Sequence, residues 1–284
     1  MANMRAIRNR IKSIESTRQI TRSMRMVAAA KLRRTQEQWQ KLSQFSRVSR
    51  EVLRKLCAGM DKLEDPLLMP REGNRLCLVL FVGNRGLCGT YNSAVIKAAE
   101  ERIAAGEEEI SLVVCGRWGR EQIAALDRPV LRVFDKLSDN PTAEEAEELT
   151  DYLKKLWLDG KTDRIELLYE HYRSALTQEP DYLRLLPMER DETDGGLDVI
   201  FEPDPETLLK SLTELVLLNT LHAVLLEAKT SEHTARMTAM SAATDNTDEL
   251  IAELSLKLNH ARQAAITTEI TEIVGGSNAL HQRN

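Results

Sequence analysis

The sequence predicts an α/β domain set between two long terminal helices that pair as a rod, an antiparallel coiled coil. Three observations carry this expectation. From Pro205 to Gly275 there is no other proline or glycine, so the stretch could extend roughly 100 Å as a single helix. Residues 1–58 lack both residues as well, and each stretch carries apolar side chains alternately three and four apart, the spacing of a coiled-coil seam. Between them, short apolar runs of strand length alternate with amphipathic stretches, the mark of an α/β domain.

In the N-terminal helix (1–58) the seam starts at Met4, Ile7, Ile11 and Ile14 and resumes at Ile20, Met24 and Val27. Ile14 to Ile20 is a step of six residues rather than seven, so the seam is expected to slip there into an irregular coil. Gly59, Pro66, Pro70 and Gly73 mark a linker over 59–75. The central α/β domain (76–203), Rossmann-like in its alternation, has strands expected at Leu76–Val82, Ile110–Cys115, Val130–Phe134, Arg164–Glu170, Tyr182–Leu186 and Leu197–Phe201. Helices are expected at Tyr91–Ile103, Arg117–Leu126 and Ala143–Leu158, and an exposed turn at Asp191–Gly196. The C-terminal helix (204–276) begins with Asp204 as N-cap and Pro205 in the first turn, and its stop is placed at Gly275-Gly276, ahead of a tail at 277–284. Its seam reads Leu208, Leu212, Leu215, Asn219, His222 and Leu226, then Ile251, Leu254, Leu258, Ala261 and Ala265. The alternative is two separate amphipathic helices on a globular core.

Aromatic residues make up 4% of the 284 and charged residues 29%, low and high respectively for a compact enzyme. The net charge of −5 hides a basic arm: Arg5 to Arg34 holds ten Lys/Arg and one acid, Glu15. That arm reads as a phosphate-backbone binder, a solvated face or the complement of an acidic protein partner, and no aromatic precedes Trp39 to stack on bases. It also mimics a mitochondrial transit peptide, but the seam already starts at Met4 and no dispensable leader is expected. The four cysteines, Cys57, Cys77, Cys88 and Cys115, lack metal-ligand spacing and suit a reducing compartment. No run of the ~18 to 20 apolar residues needed to cross a bilayer is apparent.

Chemistry is mostly absent. Gly83 to Thr90 sits between a strand and a helix, where phosphate loops occur, but it lacks the Walker lysine and reads GxxGxxG, so a tight turn is expected. Asp139-Asn140-Pro141 reads as a turn before a helix. His171, His222, His233, His260 and His281 show no close ligand pairing and are expected in the seam or at the surface. Ser174, Ser231 and Ser241 have no nucleophile elbow around them. No catalytic residue, cofactor site or metal site is expected.

Three long stretches resemble a known family. Thr17 to Leu32 (TRQITRSMRMVAAAKL), Ser231 to Met240 (SEHTARMTAM) with Ala243 to Asn246 (ATDN), and Asn259 to Gly276 (NHARQAAITTEITEIVGG) resemble the gamma subunits of bacterial F-type ATP synthases. Arg85 to Gly89 and Phe201 to Pro205 agree with the middle of that family. Gly83-Asn84 and Phe201 depart from its commoner Ser-Asp and Tyr, and the chloroplast form's regulatory cysteine pair is missing.

The resemblance implies a non-catalytic rotor shaft, the central stalk of a rotary motor that couples ion flow to ATP synthesis or hydrolysis at the beta subunits. The implied partners are the alpha and beta subunits, the epsilon subunit and the membrane c-ring, with a peripheral location on the cytoplasmic face of the bacterial inner or plasma membrane. It also implies beta-subunit contacts through Met24, Arg25, Arg236, Arg262, Gln263, Thr267 and Glu269. For Met24 ordinary seam packing is the competing reading. Phe201 and Glu202 are implied rotor-ring contacts, or else simply lead into the helix cap. A basic coiled coil that binds nucleic acid or acts as a scaffold is the alternative.

Overall fold

The computed structural model describes residues 2–58, 60, 65–175, 177–189 and 204–281. Two terminal helices, α1 (Ala2–Ala58) and α5 (Pro205–His281), frame β1 (Arg75–Phe81), α2 (Tyr91–Ala104), β2 (Glu109–Cys115), α3 (Arg120–Ala125), β3 (Val130–Phe134), α4 (Ala143–Leu158), β4 (Arg164–Tyr172) and β5 (Gln178–Leu186). The chain forms two compact units that divide both long helices: Met1–Val27 with Met237–Asn284, and Ala28–Arg236. The strand expected at 197–201, the turn at 191–196, and Phe201 and Glu202 lie outside the described residues.

In the first unit α1 and α5 pair directly. Arg18 Nη1 donates to Asp248 Oδ1 at 2.8 Å, and the Thr21 and Thr244 hydroxyls meet at 3.0 Å. Going forward from Arg18 to Thr21 goes backward from Asp248 to Thr244, so the pairing is antiparallel. The expected slip after Ile14 does not occur. Met4, Ile7, Ile11, Ile14, Arg18 and Thr21 all turn inward at unbroken three-four spacing, while Ile20 is 60% and Val27 54% exposed. Two polar residues continue the seam because each finds its partner across it, so a count of apolar side chains alone mistakes the face. On α5, Ile251, Leu254, Leu258, Ala261 and Ala265 are half-buried, and their neighbours are exposed apart from the half-buried Ser255, as a seam requires.

The helix α5 also runs past its expected stop, through Gly275 and Gly276 to His281. Glycine permits the left-handed stop but does not impose it, and the surroundings of Gly275 are open, so continuing helically costs only about 1 kcal/mol of propensity.

The second unit is built on a five-stranded sheet in the order β3-β2-β1-β4-β5. The first four strands are parallel and β5 returns antiparallel along β4. Strand β1 is buried on both faces, which is why it reads as an unbroken apolar run. Leu76, Leu78 and Leu80 face α2, whereas Cys77, Val79 and Phe81 share a core with Leu149, Leu153 and Trp157 of α4 and with both long helices. Helix α4 opens with a reciprocal cap, Thr142 bonding the Glu145 N–H and Glu145 bonding the Thr142 N–H.

Within this unit α5 departs from a simple seam. Its start is capped by Asp204, which accepts from the Thr207 N–H at 2.9 Å. Leu215, an expected seam position, is 41% exposed, while Leu209, Val216, Leu217, Leu221, Val224 and Leu225 fill the core. From 220 to 234 every residue except the half-buried His222 is buried. A helix covered on all sides has no wet face, so the seam pattern dissolves there: Leu221–Leu226 is apolar apart from His222, and the polar residues from Glu227 to Thr234 are bonded internally. That explains why Glu206–Gly275 includes an 18-residue window with a mean hydropathy of 1.3, enough by composition to cross a membrane; 56% of the window is buried inside the protein.

Candidate functional site

In an α/β sheet, ligands bind beyond the carboxyl ends of the parallel strands, where the strand order reverses. Here that point lies between β1 and β4, and α5 passes through it. The turn after β1 closes on itself: the Gly83 N–H donates to Asn92 Oδ1 at 2.7 Å, and the Asn92 side-chain amide bonds back to Cys88 Sγ at 3.2 Å. Leu87 and Gly89 take positive φ of 62° and 58° to complete it. Against this turn lies the Glu232 carboxylate. A β-carbon on Gly83 would sit 3.0 Å from Glu232 Oε1, so glycine is needed for close approach rather than for a phosphate cradle.

The remaining strand ends hold the same helix. Ser231 Oγ donates to the Glu170 carbonyl at 2.8 Å, and the Tyr172 N–H donates to Glu227 Oε1 at 3.1 Å, both at the end of β4. In the turn after β3, the carbonyls of Asp139 and Pro141 bond His233 Nε2 at 3.0 Å and His222 Nε2 at 3.3 Å. That turn does more than start α4, and these two histidines belong to neither seam nor surface: they fix the turn to the helix. Lys31 of α1 pairs with the Asp139 carboxylate, and Trp39 packs edge-on against Tyr172 with ring centroids 5.6 Å apart.

The electrostatics follow from burial. Lys229 Nζ and Arg236 Nη2 each lie 2.7 Å from Glu232, in side chains only 6%, 13% and 2% exposed. Burial opposes ionisation of Glu232, but the two cations outweigh it and hold the carboxyl below its ordinary value. Arg236 also donates to the Arg85 carbonyl at 3.4 Å. Burial pushes His233 down, keeping it neutral, and with Glu179 nearby pushes Glu170 up to about 7. Cys77 is pushed up to about 12 and Cys115 also upward, so these thiols are inert fillers of the core. Among the described residues no group of three or more His, Cys, Asp or Glu could hold a metal ion.

A family model described as ATP synthase matches residues 3–280. The ATP synthase gamma chain of Moorella thermoacetica is 42% identical over 282 residues, covering 99% of this chain and all of that one. The gamma chain of Desulfitobacterium hafniense is 41% identical over 280 residues with the same coverage. The chain belongs to the ATP synthase gamma chain family. A chain in the Euglena gracilis mitochondrial ATP synthase, OSCP/F1/c-ring, rotational state 3, shares the fold at a TM-score of 0.72 and 20% identity, covering 99% of this chain and 95% of that one.

For a gamma-family chain, the residues of interest divide between the units. Met24 and Arg25 are half-buried on α1 in the first unit. Arg262, Gln263, Thr267 and Glu269 are exposed on α5, where Thr267 Oγ1 donates to the Gln263 carbonyl at 3.0 Å. Arg236 stands apart from them, engaged with Glu232 and Arg85 inside the second unit. Sequence reasoning placed Ile20 and Val27 in the seam, whereas both turn outward, and it passed over the outward apolar residues Met26 of α1 and Ile266 and Ile270 of α5. Their signal was present: apolar residues off the seam on an otherwise polar helix face mark a partner surface.

Proposed function

We infer that the chain is the central rotor shaft of an ATP synthase, coupling ion flow through the membrane ring to synthesis or hydrolysis of ATP by rotation inside the catalytic ring. The observation that carries it is the end-to-end match to gamma chains at 41–42% identity. Two features of the fold support it. The paired helices present apolar side chains outward, Ile20, Met26 and Val27, on a helix that also exposes the basic Arg22, which suits a socket with acidic and apolar parts. The α/β crevice is occupied by α5, which bonds to the strand ends there, and this suits a subunit whose chemistry belongs to its partners. The nucleic-acid and scaffold alternative gains nothing from the family match.

On this reading the chain turns within a ring of alpha and beta subunits and stands on the c-ring beside an epsilon subunit, as a peripheral part of a membrane complex, at the cytoplasmic face of a bacterial membrane. Met24, Arg25, Arg262, Gln263, Thr267 and Glu269 serve as beta-ring contacts. Arg236 would act there only by exchanging its internal partners. Residues 76–203 form the foot, with Phe201 and Glu202 toward the rotor ring.

The test uses the buried state of all four native cysteines, which leaves an introduced thiol as the selective label. A bead attached through Glu107→Cys, an exposed position, should rotate stepwise in one direction when the chain is reconstituted with alpha and beta subunits and given ATP. Failure to enter a ring that accepts another gamma chain would overturn the reading.

A further inference from the structure

We propose that the crevice at the carboxyl ends of β1, β3 and β4 is a three-sided grip through which torque passes between the sheet and α5, with Glu232 as its positioning residue. The proposal rests on the rotor-shaft reading. In the position where folds of this topology take a ligand, this chain takes its own helix.

The directions of the anchors carry the inference. At about 100° per residue around a helix, His222 and His233 lie within roughly 20° of each other, Glu227 and Ser231 share a second sector, and Glu232 and Arg236 share a third. Each sector meets a different strand end. His222 and His233 bond the turn after β3, Glu227 and Ser231 bond the end of β4, and Glu232 with Arg236 engages the turn after β1 at Gly83 and Arg85. The hydrophobic effect is non-directional and does not by itself single out one angle of a helix about its axis. Hydrogen bonds and ion pairs on three sectors fix its angle in both senses of rotation. The helix α1 joins the grip through Lys31 to Asp139.

Glu232 organises the third sector. It holds Arg236 at 2.7 Å in position to reach the Arg85 carbonyl, and it fills the space that Gly83 leaves. Without its charge, Lys229 and Arg236 repel and that jaw opens.

The experiment compares two bead positions in the complex reconstituted with alpha and beta subunits. One bead is attached to the sheet through Glu107→Cys and the other to α1 through the exposed Val48→Cys. Angular spread is recorded during the pauses between steps. In Glu232→Gln the spread of the sheet bead should rise about twofold or more, while the α1 bead and the unloaded ATP hydrolysis rate stay as in the parent. Ser231→Ala, a milder change that removes one bond of the second jaw, should widen the sheet bead alone in the same way and serves if the first variant fails to assemble. An unchanged sheet bead in an assembled variant would overturn the proposal, as would equal widening at both positions, which means general loosening. Absence of rotation in the parent complex would instead overturn the shaft reading on which the proposal stands.

Discussion

Replacing Ile20 by alanine separates the seam that the sequence suggests from the one the structure contains. An isoleucine fully buried is worth about 1.5–3 kcal/mol. Since Ile20 is 60% exposed, roughly two fifths of that, about 1 kcal/mol, is at stake, and the better helix propensity of alanine offsets about 0.4 kcal/mol. The expected loss is therefore about 0.5 kcal/mol. Were Ile20 in the seam, the truncation would cost about 2 kcal/mol. The control is Ile14→Ala, an inward position of the same unit, expected to cost about 2 kcal/mol. Urea unfolding of the full chain followed by helical circular dichroism measures both. Equal losses at Ile14 and Ile20 would refute the unbroken seam through Arg18 and Thr21. The functional counterpart is assembly: Ile20→Asp should leave the isolated chain folded but weaken its entry into the catalytic ring, read by co-purification with alpha and beta subunits.

Three further outcomes follow. Glu232→Gln leaves two buried cations without their partner and should cost about 3 kcal/mol in urea unfolding, and adding Lys229→Met should recover a measurable part. Gly275→Ala should raise helicity and stabilise α5 by up to about 1 kcal/mol, because the position is helical and open; a loss of stability would restore the left-handed stop there. Glu170 is held protonated by burial up to about 7, so the folded chain binds a proton that the unfolded chain releases near pH 4.5. Stability should accordingly fall as pH rises from about 4.5 to 7, by about 3 kcal/mol at most. Glu170→Gln should remove that part of the fall in a pH series of unfolding curves.

Much of the second unit was legible because its signals are local. An apolar run such as Leu76–Val82 is a strand buried on both faces, and Asp139-Asn140-Pro141 announces α4 as a turn just ahead of it. The grip was not legible because its bonds join residues far apart in the chain: Arg236 with Arg85, His233 with Asp139, and Ser231 with Glu170. In sequence, Lys229 and Glu232 look like a solvated pair one turn apart, His222 falls in the seam stripe and His233 looks like a seam or surface residue. Only the fold makes them buried and directional. Gly275-Gly276 misled for another reason: a glycine records what the backbone is allowed to do, and the stop was a permission not used.

The long helix α5 shows how far periodicity can be trusted. A three-four stripe arises only where a helix has both a dry side and a wet side, and it disappears where the helix is enclosed. Between 251 and 265 every residue of the stripe is half-buried; between 220 and 234 there is no wet side, and polar residues survive by bonding to strand ends or within the helix. Tolerance to substitution should follow the same division. In a scan of single aspartate replacements read by the yield of folded chain, 251–265 should alternate, with losses at Ile251, Leu254 and Leu258 and little effect between them. From 220 to 234 nearly every position should fail, since each introduced carboxylate would be buried without a partner at a cost of several kcal/mol. A three-four alternation persisting through 220–234 would mean that one side of the helix is open to water there, and the three-sided grip could not exist.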